Sequence, residues 1–121
     1  TIEKLSKKYH LGILTNGNAD IFKYDIGKFF DFSISSFDVQ DNKPNKPHFE
    51  SAKNKYENIS YEEIIHVGDH QINDVYGAYH LGMKAIWFNN MNNEWDQSFD
   101  KPDEFSHWND CTKLIEEIDE R

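Results

Sequence analysis

The sequence predicts an α/β domain in which a parallel β-sheet is flanked by helices. Four short apolar segments are typical of buried strands, namely "LGILT", "FSISS", "IIHVG" and "KAIWF". Segments with the apolar spacing of helices alternate with these strands along the chain. Such alternation is typical of a parallel sheet that is covered on both faces. A chain of 121 residues suits a single core, so one domain over residues 1–121 is expected.

Two helices and two strands are predicted before residue 38. The first helix precedes "LGILT", and its apolar stripe consists of Ile2, Leu5 and Tyr9. The second helix is predicted over "ADIFKYDIGKFF", and its apolar positions are Ile21, Phe22, Ile26, Phe29 and Phe30. The segment "FSISS" then follows as the second strand.

A proline-bearing loop and a third helix come next. The polar region from Asp38 to Lys46 is predicted to be a loop. Pro47 suits the first turn of a helix, with Asn45 or Lys46 near its cap. The apolar positions of this helix are Phe49, Ala52 and Tyr56. Ser60 and Glu63 have the spacing of a capping box, which indicates a short turn before "IIHVG".

The last third of the chain contains two further helices around the strand "KAIWF". A helix from about Asn73 to His80 is predicted to stop at Gly82. Residues 89–108 are rich in Asn, Asp and aromatics, and are predicted to be irregular with a brief strand near "FSHW". The final helix, "DCTKLIEEIDE", is expected to bury Leu114, Ile115 and Ile118. Cys111 lies in this helix and is expected to be a buried small side chain rather than a nucleophile.

Composition and charge exclude several classes of partner. The formal net charge of −9 argues against nucleic-acid and anionic-membrane partners, which are recognised through clustered Lys and Arg. No segment has the apolar length of a membrane span or the apolar middle of a signal peptide. A single cysteine fits a reducing compartment. We therefore expect a soluble, cytoplasmic protein, and a first residue other than Met leads us to expect that the natural chain starts earlier.

Polar residues directly follow the first predicted strand, at the edge where α/β sheets bind ligands. Thr15 offers a hydroxyl, Asn16 offers an amide, and Gly17 lets its backbone N–H come close to a ligand. These groups could bind phosphate oxygens. The same three residues also suit a plain turn in which Thr15 or Asn16 caps the following helix, and both interpretations are open.

A lysine lies in the loop after the second strand. Lys43 precedes Pro44, which restricts the backbone and could hold the ammonium over the sheet edge, where it could neutralise a transferring phosphoryl group. The alternative is a solvated loop lysine, since lysine is rarely buried without a partner. Lys46, three residues later, competes for the same role.

Two acids and two histidines surround the end of the third strand. Asp69 follows an apolar strand and a glycine, and its compact carboxylate suits Mg²⁺ that keeps several waters. Asp74 could accept a hydrogen bond from metal-bound water or could stabilise a helix N-terminus. His66 and His70 straddle a strand end and a turn, so we predict no zinc site there. His66 is expected to be a core histidine with a backbone partner, and His70 a rim residue that touches substrate.

Three segments in order, "LGILTNG", "SSFDVQDNKPNKPHF" and "HVGDHQINDVYGAYHLGM", resemble motifs two, three and four of the haloacid dehalogenase-like (HAD) hydrolase superfamily. The resemblance is closest to the phosphatase-rich subgroup with a helical cap, and it covers nearly the whole chain. It implies a Rossmann-like core and an aspartate nucleophile that forms a covalent intermediate, which water then hydrolyses.

The resemblance also implies a role for each candidate residue. Thr15 and Asn16 would bind the transferring phosphoryl group. Lys43 would neutralise that group and hold the nucleophile. Asp69 would ligate Mg²⁺, and Asp74 would support the metal through water or Lys43. The resemblance places Mg²⁺ and Lys43 between Asp69 and Asp74, and these positive charges would offset the repulsion between the two carboxylates.

The sequence departs from the family pattern in three places. Gln40 stands where glycine is usual, and Lys46-Pro47-His48 stands where an acid-proline pattern is common. These two departures leave the substrate and the choice of lysine open. The nucleophile motif, Asp-x-Asp, occurs nowhere in the 121 residues. We therefore expect the C-terminal part of an incomplete core, whose central nucleophile strand and cap lie upstream or in another polypeptide.

The leading functional prediction is that this chain forms part of a Mg²⁺-dependent hydrolase that acts on a small phosphorylated metabolite. The chain alone is expected to be inactive, and its expected partners are the missing N-terminal segment or a second copy that fills the gap in the sheet. The alternative is a non-catalytic module of the same fold that serves binding or regulation. A receiver-like signalling domain is disfavoured by the Thr-Asn-Gly turn directly after the first strand.

Overall fold

The computed structural model describes residues 1–17 and 21–121, with only the backbone of Ile21. These residues fall into two compact units, Thr1–Asn58 and Ile59–Arg121, and each is described by itself. Every strand pair in both units is parallel, and helices accompany the strands, so the predicted α/β class is confirmed. The prediction of a single domain over residues 1–121 stays a prediction.

The first unit is built on two parallel strands. Its elements are α1 (Ile2–Ser6), β1 (Gly12–Thr15), β2 (Phe32–Ser35), α2 (Ser36–Val39) and α3 (Pro47–Lys53). β1 and β2 pair in register from Gly12 opposite Phe32 to Thr15 opposite Ser35. Helix α3 contacts both strands. The buried apolar residues of the unit are Leu5, Ile34, Phe49 and Ala52.

The prediction of one continuous helix over "ADIFKYDIGKFF" is wrong within the described residues. Two short 3-10 turns, Ile21–Lys23 and Asp25–Phe29, take its place, and Tyr24 between them has an extended backbone with φ −112° and ψ 153°. Aromatic residues, Asp and Gly are weak helix formers, so nothing local prevents this break. Phe22 is 53% exposed, so the predicted apolar stripe is not buried as a whole. Ala19 and Asp20 lie outside the described residues.

The loop after β2 begins later than predicted, because α2 includes Asp38. A capping box starts this helix: Ser35 Oγ accepts from Asp38 N at 3.1 Å, and Asp38 Oδ2 accepts from Ser35 N at 2.9 Å. The backbone hydrogen bond from Ser35 lowers the pKa of Asp38. Gln40 ends the helix in the left-handed region with φ 56°, a conformation that favours glycine and accounts for the glycine usual at this position. The Lys43–Pro44 peptide is cis.

The second unit is built on three parallel strands. Its elements are β3 (Ile65–Gly68), α4 (Gly77–His80), β4 (Lys84–Phe88), β5 (Asp103–Phe105) and α5 (Cys111–Asp119). The strand order is β3-β4-β5. Ile65 lies opposite Lys84, and Ile86 lies opposite Asp103. The buried apolar residues of the unit are Val75, Ala78, Met83, Ile86, Trp87, Phe105, Cys111, Ile115 and Ile118.

Several local predictions for this unit are confirmed. Glu63 Oε1 accepts from Ser60 N at 3.1 Å in the predicted capping box. Gly82 has φ 94° beyond the end of α4. The brief strand in the irregular region is Asp103–Phe105. Cys111 is buried, and burial raises the pKa of its thiol to about 11, which keeps it protonated and disfavours nucleophilic chemistry.

The helix before Gly82 begins earlier than predicted and has an unusual first part. Residues Gln71–Tyr76 form a π-helical turn, in which Val75 N donates to His70 O at 3.2 Å, before α4 continues. Turns of this kind are frequent at functional sites because they redirect side chains near a helix start. No helix within residues 1–17 and 21–121 combines the length and apolar character that crossing a membrane requires.

Candidate functional site

The last residue of β1 and the two residues after it, Thr15-Asn16-Gly17, form a tight turn that we call the β1 turn. Gly17 N donates to Thr15 Oγ1 at 2.9 Å. A ligand that binds the Gly17 N–H, as predicted, would therefore compete with this hydroxyl. The threonine hydroxyl accepts this bond and keeps its own hydrogen to donate. Hydrogen bonds in such a series polarise one another, which suits the hydroxyl to an anionic acceptor.

Asn16 connects the β1 turn to the loop that bears Lys43. Its Oδ1 accepts from Lys43 N at 2.7 Å, and its Nδ2 donates to Lys43 O at 3.3 Å. The oxygen and one N–H of this amide already bind the loop backbone. Of the whole side chain, only the second N–H of Nδ2 could therefore bind a phosphate as predicted. The side chain of Asn16 primarily holds Lys43 in place.

Lys43, rather than Lys46, lies at the β1 turn. Its side chain is only 9% exposed, and Nζ donates to Leu14 O at 3.2 Å, which places the ammonium at the carboxyl end of β1. The alternative of a solvated loop lysine is therefore wrong for Lys43. Lys46 is exposed and occupies the cap position of α3. The ammonium group has three donors, so it can bind further acceptors beside this carbonyl.

His48 was not singled out as a site residue by the sequence, although it contacts the β1 turn. It is the second residue of α3 and is completely buried. Its Nε2 donates to Thr15 O at 2.8 Å. The only sequence signal is helical spacing, since His48 and Ala52 are four residues apart on the face of α3 that is buried.

An open cleft of about 580 Å³ adjoins the β1 turn within the first unit. The residues that line it are Asn16, Gly17, Ser36, Phe37, Gln40, Asp41 and Asn42. Ser36 Oγ donates to Asn42 Oδ1 at 2.6 Å, so part of the polar lining is already paired. Phe37 contributes an exposed ring. A small polar molecule bound at the β1 turn would therefore have room to extend along this cleft.

In the second unit, Gly68 ends β3 and Asp69 and His70 follow it, and we call these three residues the β3 turn. Asp69 is exposed, and its carboxylate has no hydrogen-bond partner in the described part of the chain. Its backbone carbonyl accepts from the indole Nε1 of Trp87 at 3.0 Å. Trp87 is almost fully buried, and the sequence did not single it out as a site residue. A carboxylate in this position is available to a cation.

Asp74 packs beneath the β3 turn and is only 5% exposed. Its Oδ2 accepts from His70 N at 3.1 Å, and its Oδ1 accepts from His66 Nε2 at 3.1 Å. The partner that the structure shows for the His66 side chain is this carboxylate, and the expected backbone partner stays a prediction. A Cβ on Gly68 would lie 2.2 Å from Asp74 Cγ, so the glycine allows this close packing. These contacts support the turn itself.

His70 caps the π-helical turn rather than serving as a rim residue alone. Its Nδ1 accepts from Ile72 N at 3.2 Å and from Asn73 N at 3.0 Å. The ring therefore satisfies two of the amide groups that a helix start leaves unpaired. The expected contact of His70 with a substrate stays a prediction.

The donor set of the second unit fits a hard, oxygen-preferring cation better than a transition metal. Among the residues that the structure describes, no three or more His, Cys, Asp or Glu side chains cluster as metal ligands. Mg²⁺ commonly uses only one or two carboxylates and takes its remaining ligands from water and substrate phosphate. An exposed carboxylate at a strand end, supplied by Asp69, meets that requirement.

Proteins of similar sequence include two phosphatases. The chain is 35% identical over 100 residues to the 5-amino-6-(5-phospho-D-ribitylamino)uracil phosphatase of Escherichia coli, covering 83% of this chain and 42% of that protein. It is 36% identical over 85 residues to the glyceraldehyde 3-phosphate phosphatase of Pyrococcus abyssi, covering 66% of this chain and 35% of that protein.

A solved structure of similar fold is the 2-haloacid dehalogenase from Pseudomonas syringae, with a TM-score of 0.91 and 31% identity, covering 97% of this chain and 50% of that chain. The chain thus spans half or less of the length of these relatives. Residues 1–88 match the family described as haloacid dehalogenase-like hydrolase. With motifs two to four in order and parallel strands before each of the two turns, this chain belongs to the haloacid dehalogenase-like hydrolase family.

Proposed function

We propose that the full-length protein containing this chain is a Mg²⁺-dependent phosphatase that hydrolyses a small phosphorylated metabolite. The observation that carries the proposal is the buried Lys43, whose ammonium lies at the carboxyl end of β1 and whose backbone is held by Asn16. The two curated relatives described above are both phosphatases of phosphorylated small molecules. The chain covers less than half of either relative, so the remaining groups come from outside these residues.

In this proposal the first unit binds the phosphoryl group. Thr15 donates its hydroxyl hydrogen to a phosphoryl oxygen, and the backbone of the β1 turn adds N–H donors. Lys43 places a positive charge beside the same oxygens, where negative charge develops as the phosphoryl group is transferred. The chain carries a formal net charge of −9, so this local cation is needed to attract an anion.

Asp69 is proposed as the carboxylate that holds Mg²⁺, and Asp74 as the acid that keeps the β3 turn in place. When bound, the metal would supply positive charge that stabilises phosphoryl transfer. Both oxygens of Asp74 already accept hydrogen bonds from the protein, from His66 and from His70 N, which suits a supporting role.

The proposed reaction needs a nucleophile that this chain lacks. An aspartate supplied by the N-terminal segment of the same protein, or by a second copy, attacks phosphorus with a carboxylate oxygen. A P–O bond to the carboxylate forms while the P–O bond to the substrate's oxygen breaks, and the leaving alkoxide takes up a proton. Water then hydrolyses the aspartyl phosphate, which releases inorganic phosphate and restores the carboxylate.

The experiment uses the full-length gene product and p-nitrophenyl phosphate with added Mg²⁺. We expect turnover by the unaltered protein, and a fall of at least about 100-fold in kcat/KM for Asp69→Asn, since the charge stabilisation from a divalent ion amounts to several kcal/mol. Asp100→Asn is the matched control, because Asp100 is also an exposed aspartate of the second unit.

Two outcomes would overturn the proposal. Equal turnover of Asp69→Asn and Asp100→Asn would remove Asp69 from the reaction. Release of halide from a 2-haloacid, with no phosphate released from phosphate esters, would replace the phosphatase with a dehalogenase.

A further inference from the structure

We infer that His48 is a positioning residue for anion binding: its buried imidazole N–H orients the Thr15–Asn16 peptide so that the backbone N–H of Asn16 faces the bound phosphoryl group. The inference rests on the proposed function and adds a residue to it. It begins from a contact within the first unit, the 2.8 Å hydrogen bond between His48 Nε2 and Thr15 O.

This hydrogen bond determines the tautomer of the ring. A carbonyl oxygen can only accept, so Nε2 must carry the hydrogen. The other ring nitrogen, Nδ1, is buried and has no hydrogen-bond partner among the residues that the structure describes. A second N–H on Nδ1 would be buried there without an acceptor, which is unfavourable. The contact is thus built for a neutral ring that donates from Nε2.

The hydrogen bond also determines where the next amide points. The Thr15–Asn16 peptide is not among the cis bonds of the chain, so its C=O and N–H point in opposite directions in one plane. Holding Thr15 O against His48 on α3 therefore turns the Asn16 N–H away from α3. A backbone donor held in this way needs no reorganisation when an anion binds.

The other contacts of the β1 turn act on different atoms. Thr15 Oγ1 accepts from Gly17 N, and the Asn16 side chain binds the backbone of Lys43. Neither contact holds the Thr15 carbonyl. Without the imidazole, that carbonyl would lose its side-chain donor, and the peptide plane would be free to rotate. An apolar side chain of similar size at position 48 could fill the space in the core but could not supply the donor.

The test compares three variants of the full-length protein. His48→Leu keeps the volume and removes the donor, whereas His48→Gln restores an N–H that can reach a carbonyl. Ala52→Gly is the structural control, because it weakens the same buried helix by about as much as one lost hydrogen bond without touching the β1 turn. Each variant is assayed for kcat and KM with p-nitrophenyl phosphate, for inhibition by inorganic phosphate, and for its unfolding temperature.

We expect His48→Leu to lower kcat/KM about tenfold, which corresponds to about 1.4 kcal/mol, and to raise the inhibition constant of inorganic phosphate by a similar factor. His48→Gln should recover most of both losses. Ala52→Gly should lower the unfolding temperature while both constants stay within about twofold of the unaltered protein. Equal kinetic losses in His48→Leu and Ala52→Gly, or no loss in either, would overturn the inference.

A second readout does not depend on activity, so failure of the proposed function can be told apart from failure of this inference. Amide hydrogen exchange of Gly17, whose N–H bonds to Thr15 Oγ1, reports whether the β1 turn is ordered. We expect faster exchange in His48→Leu than in His48→Gln or Ala52→Gly, whether or not the protein hydrolyses phosphate esters. Unchanged exchange in His48→Leu would show that the imidazole does not hold the turn.

Discussion

The β1 turn and the β3 turn are each held by a buried ring that donates to a backbone carbonyl, but they differ in what they leave available. His48 Nε2 donates to Thr15 O at 2.8 Å, and Trp87 Nε1 donates to Asp69 O at 3.0 Å. In the β1 turn the side chains of Thr15 and Asn16 also bond within the protein. In the β3 turn the Asp69 carboxylate is exposed and has no partner among the described residues.

This difference is what the proposed function requires, in which the β1 turn binds an anion and the β3 turn a cation. An anion is bound by preorganised N–H donors and a cation, and such donors work best when the protein holds them in place beforehand. Mg²⁺ retains several waters, so the carboxylate that binds it must be open to solvent. The β1 turn is thus a constrained donor set, and the β3 turn presents one open acceptor.

The largest effect is expected at Lys43. If the constrained set of the β1 turn binds the phosphoryl group, Lys43→Met should lower kcat by about 10²–10³-fold, as for other groups that stabilise developing charge. Lys46→Met, which removes an exposed lysine three residues away, should stay within about twofold. Kinetics with p-nitrophenyl phosphate and circular dichroism on both variants would provide the measurement. A larger loss from Lys46→Met would transfer the role to Lys46.

Adding a methyl group should affect the two turns unequally. A Cβ on Gly68 would lie 2.2 Å from Asp74 Cγ, whereas a Cβ on Gly17 would lie 3.4 Å from Thr15 Oγ1. Gly68→Ala should therefore lower the free energy of unfolding by about 1–3 kcal/mol through overpacking. Gly17→Ala should change it by less than about 1 kcal/mol. Urea denaturation measures both, and equal effects would contradict the packing of Asp74 beneath the β3 turn.

Removing the indole donor tests the second ring. Trp87→Phe keeps an aromatic ring but loses the N–H that holds Asp69 O, so we expect a loss of at least about 1 kcal/mol in the free energy of unfolding. If Asp69 binds Mg²⁺ as proposed, loss of the contact that fixes its backbone should also lower the apparent Mg²⁺ affinity in the phosphatase assay. Trp95→Phe is the control, because the Trp95 indole donates to Phe99 O instead. Equal Mg²⁺ affinities in the two variants would mean that the Trp87 indole has no effect on metal binding.

The smallest effect is expected at Asp31, whose carboxylate has hydrogen-bond partners among the described residues, unlike that of Asp69. Asp31 accepts from Tyr56 OH at 2.6 Å and lies 2.8 Å from His10 Nδ1. The tyrosine hydrogen bond is the main cause of the lowered pKa of Asp31, and burial is the main cause of the raised pKa of Tyr56. A lowered pKa in the folded state means that ionised Asp31 adds stability above its ordinary pKa and loses that contribution as the pH falls.

Asp31→Asn should therefore be less stable than the unaltered protein at about pH 7, by about 0.2–1 kcal/mol as for other exposed pairs, and the difference should shrink towards about pH 3. Urea midpoints across this range measure the difference. Asp25→Asn, at another exposed aspartate of the first unit, should show no such trend. A difference that persists at low pH would mean that the charge of Asp31 is not the source.

Much of the fold could be predicted because its signals are local. The strands appear where short apolar segments occur, Pro47 starts α3, and the Ser60–Glu63 capping box forms as its spacing predicts. Errors arose where local preference is weak. The segment through Tyr24 breaks into two turns, because aromatic residues, Asp and Gly, which are weak helix formers, make up much of it. A four-residue helix with a capping box at Ser35 takes part of the predicted loop.

The sequence suggested candidate residues for a site but not the contacts that these residues make. Thr15, Lys43 and Asp69 were identified because polar residues at the carboxyl ends of parallel strands lie where α/β proteins bind ligands. His48 and Trp87 were missed as site residues because a buried histidine or tryptophan has the same pattern in sequence whether it fills a core or holds a loop. Burial was predictable from spacing, but the atom that each ring N–H meets was not.

From the sequence alone one could predict where the strands lie, which polar residues stand at their ends, and that no Asp-x-Asp motif occurs within these residues. Those properties depend on neighbours along the chain. The contacts of Asn16 with Lys43, 27 residues away, and of His48 with Thr15, 33 residues away, depend instead on how the chain packs in three dimensions. A hydrogen bond depends on distance and angle in space to within a fraction of an ångström, and packing of the core sets both.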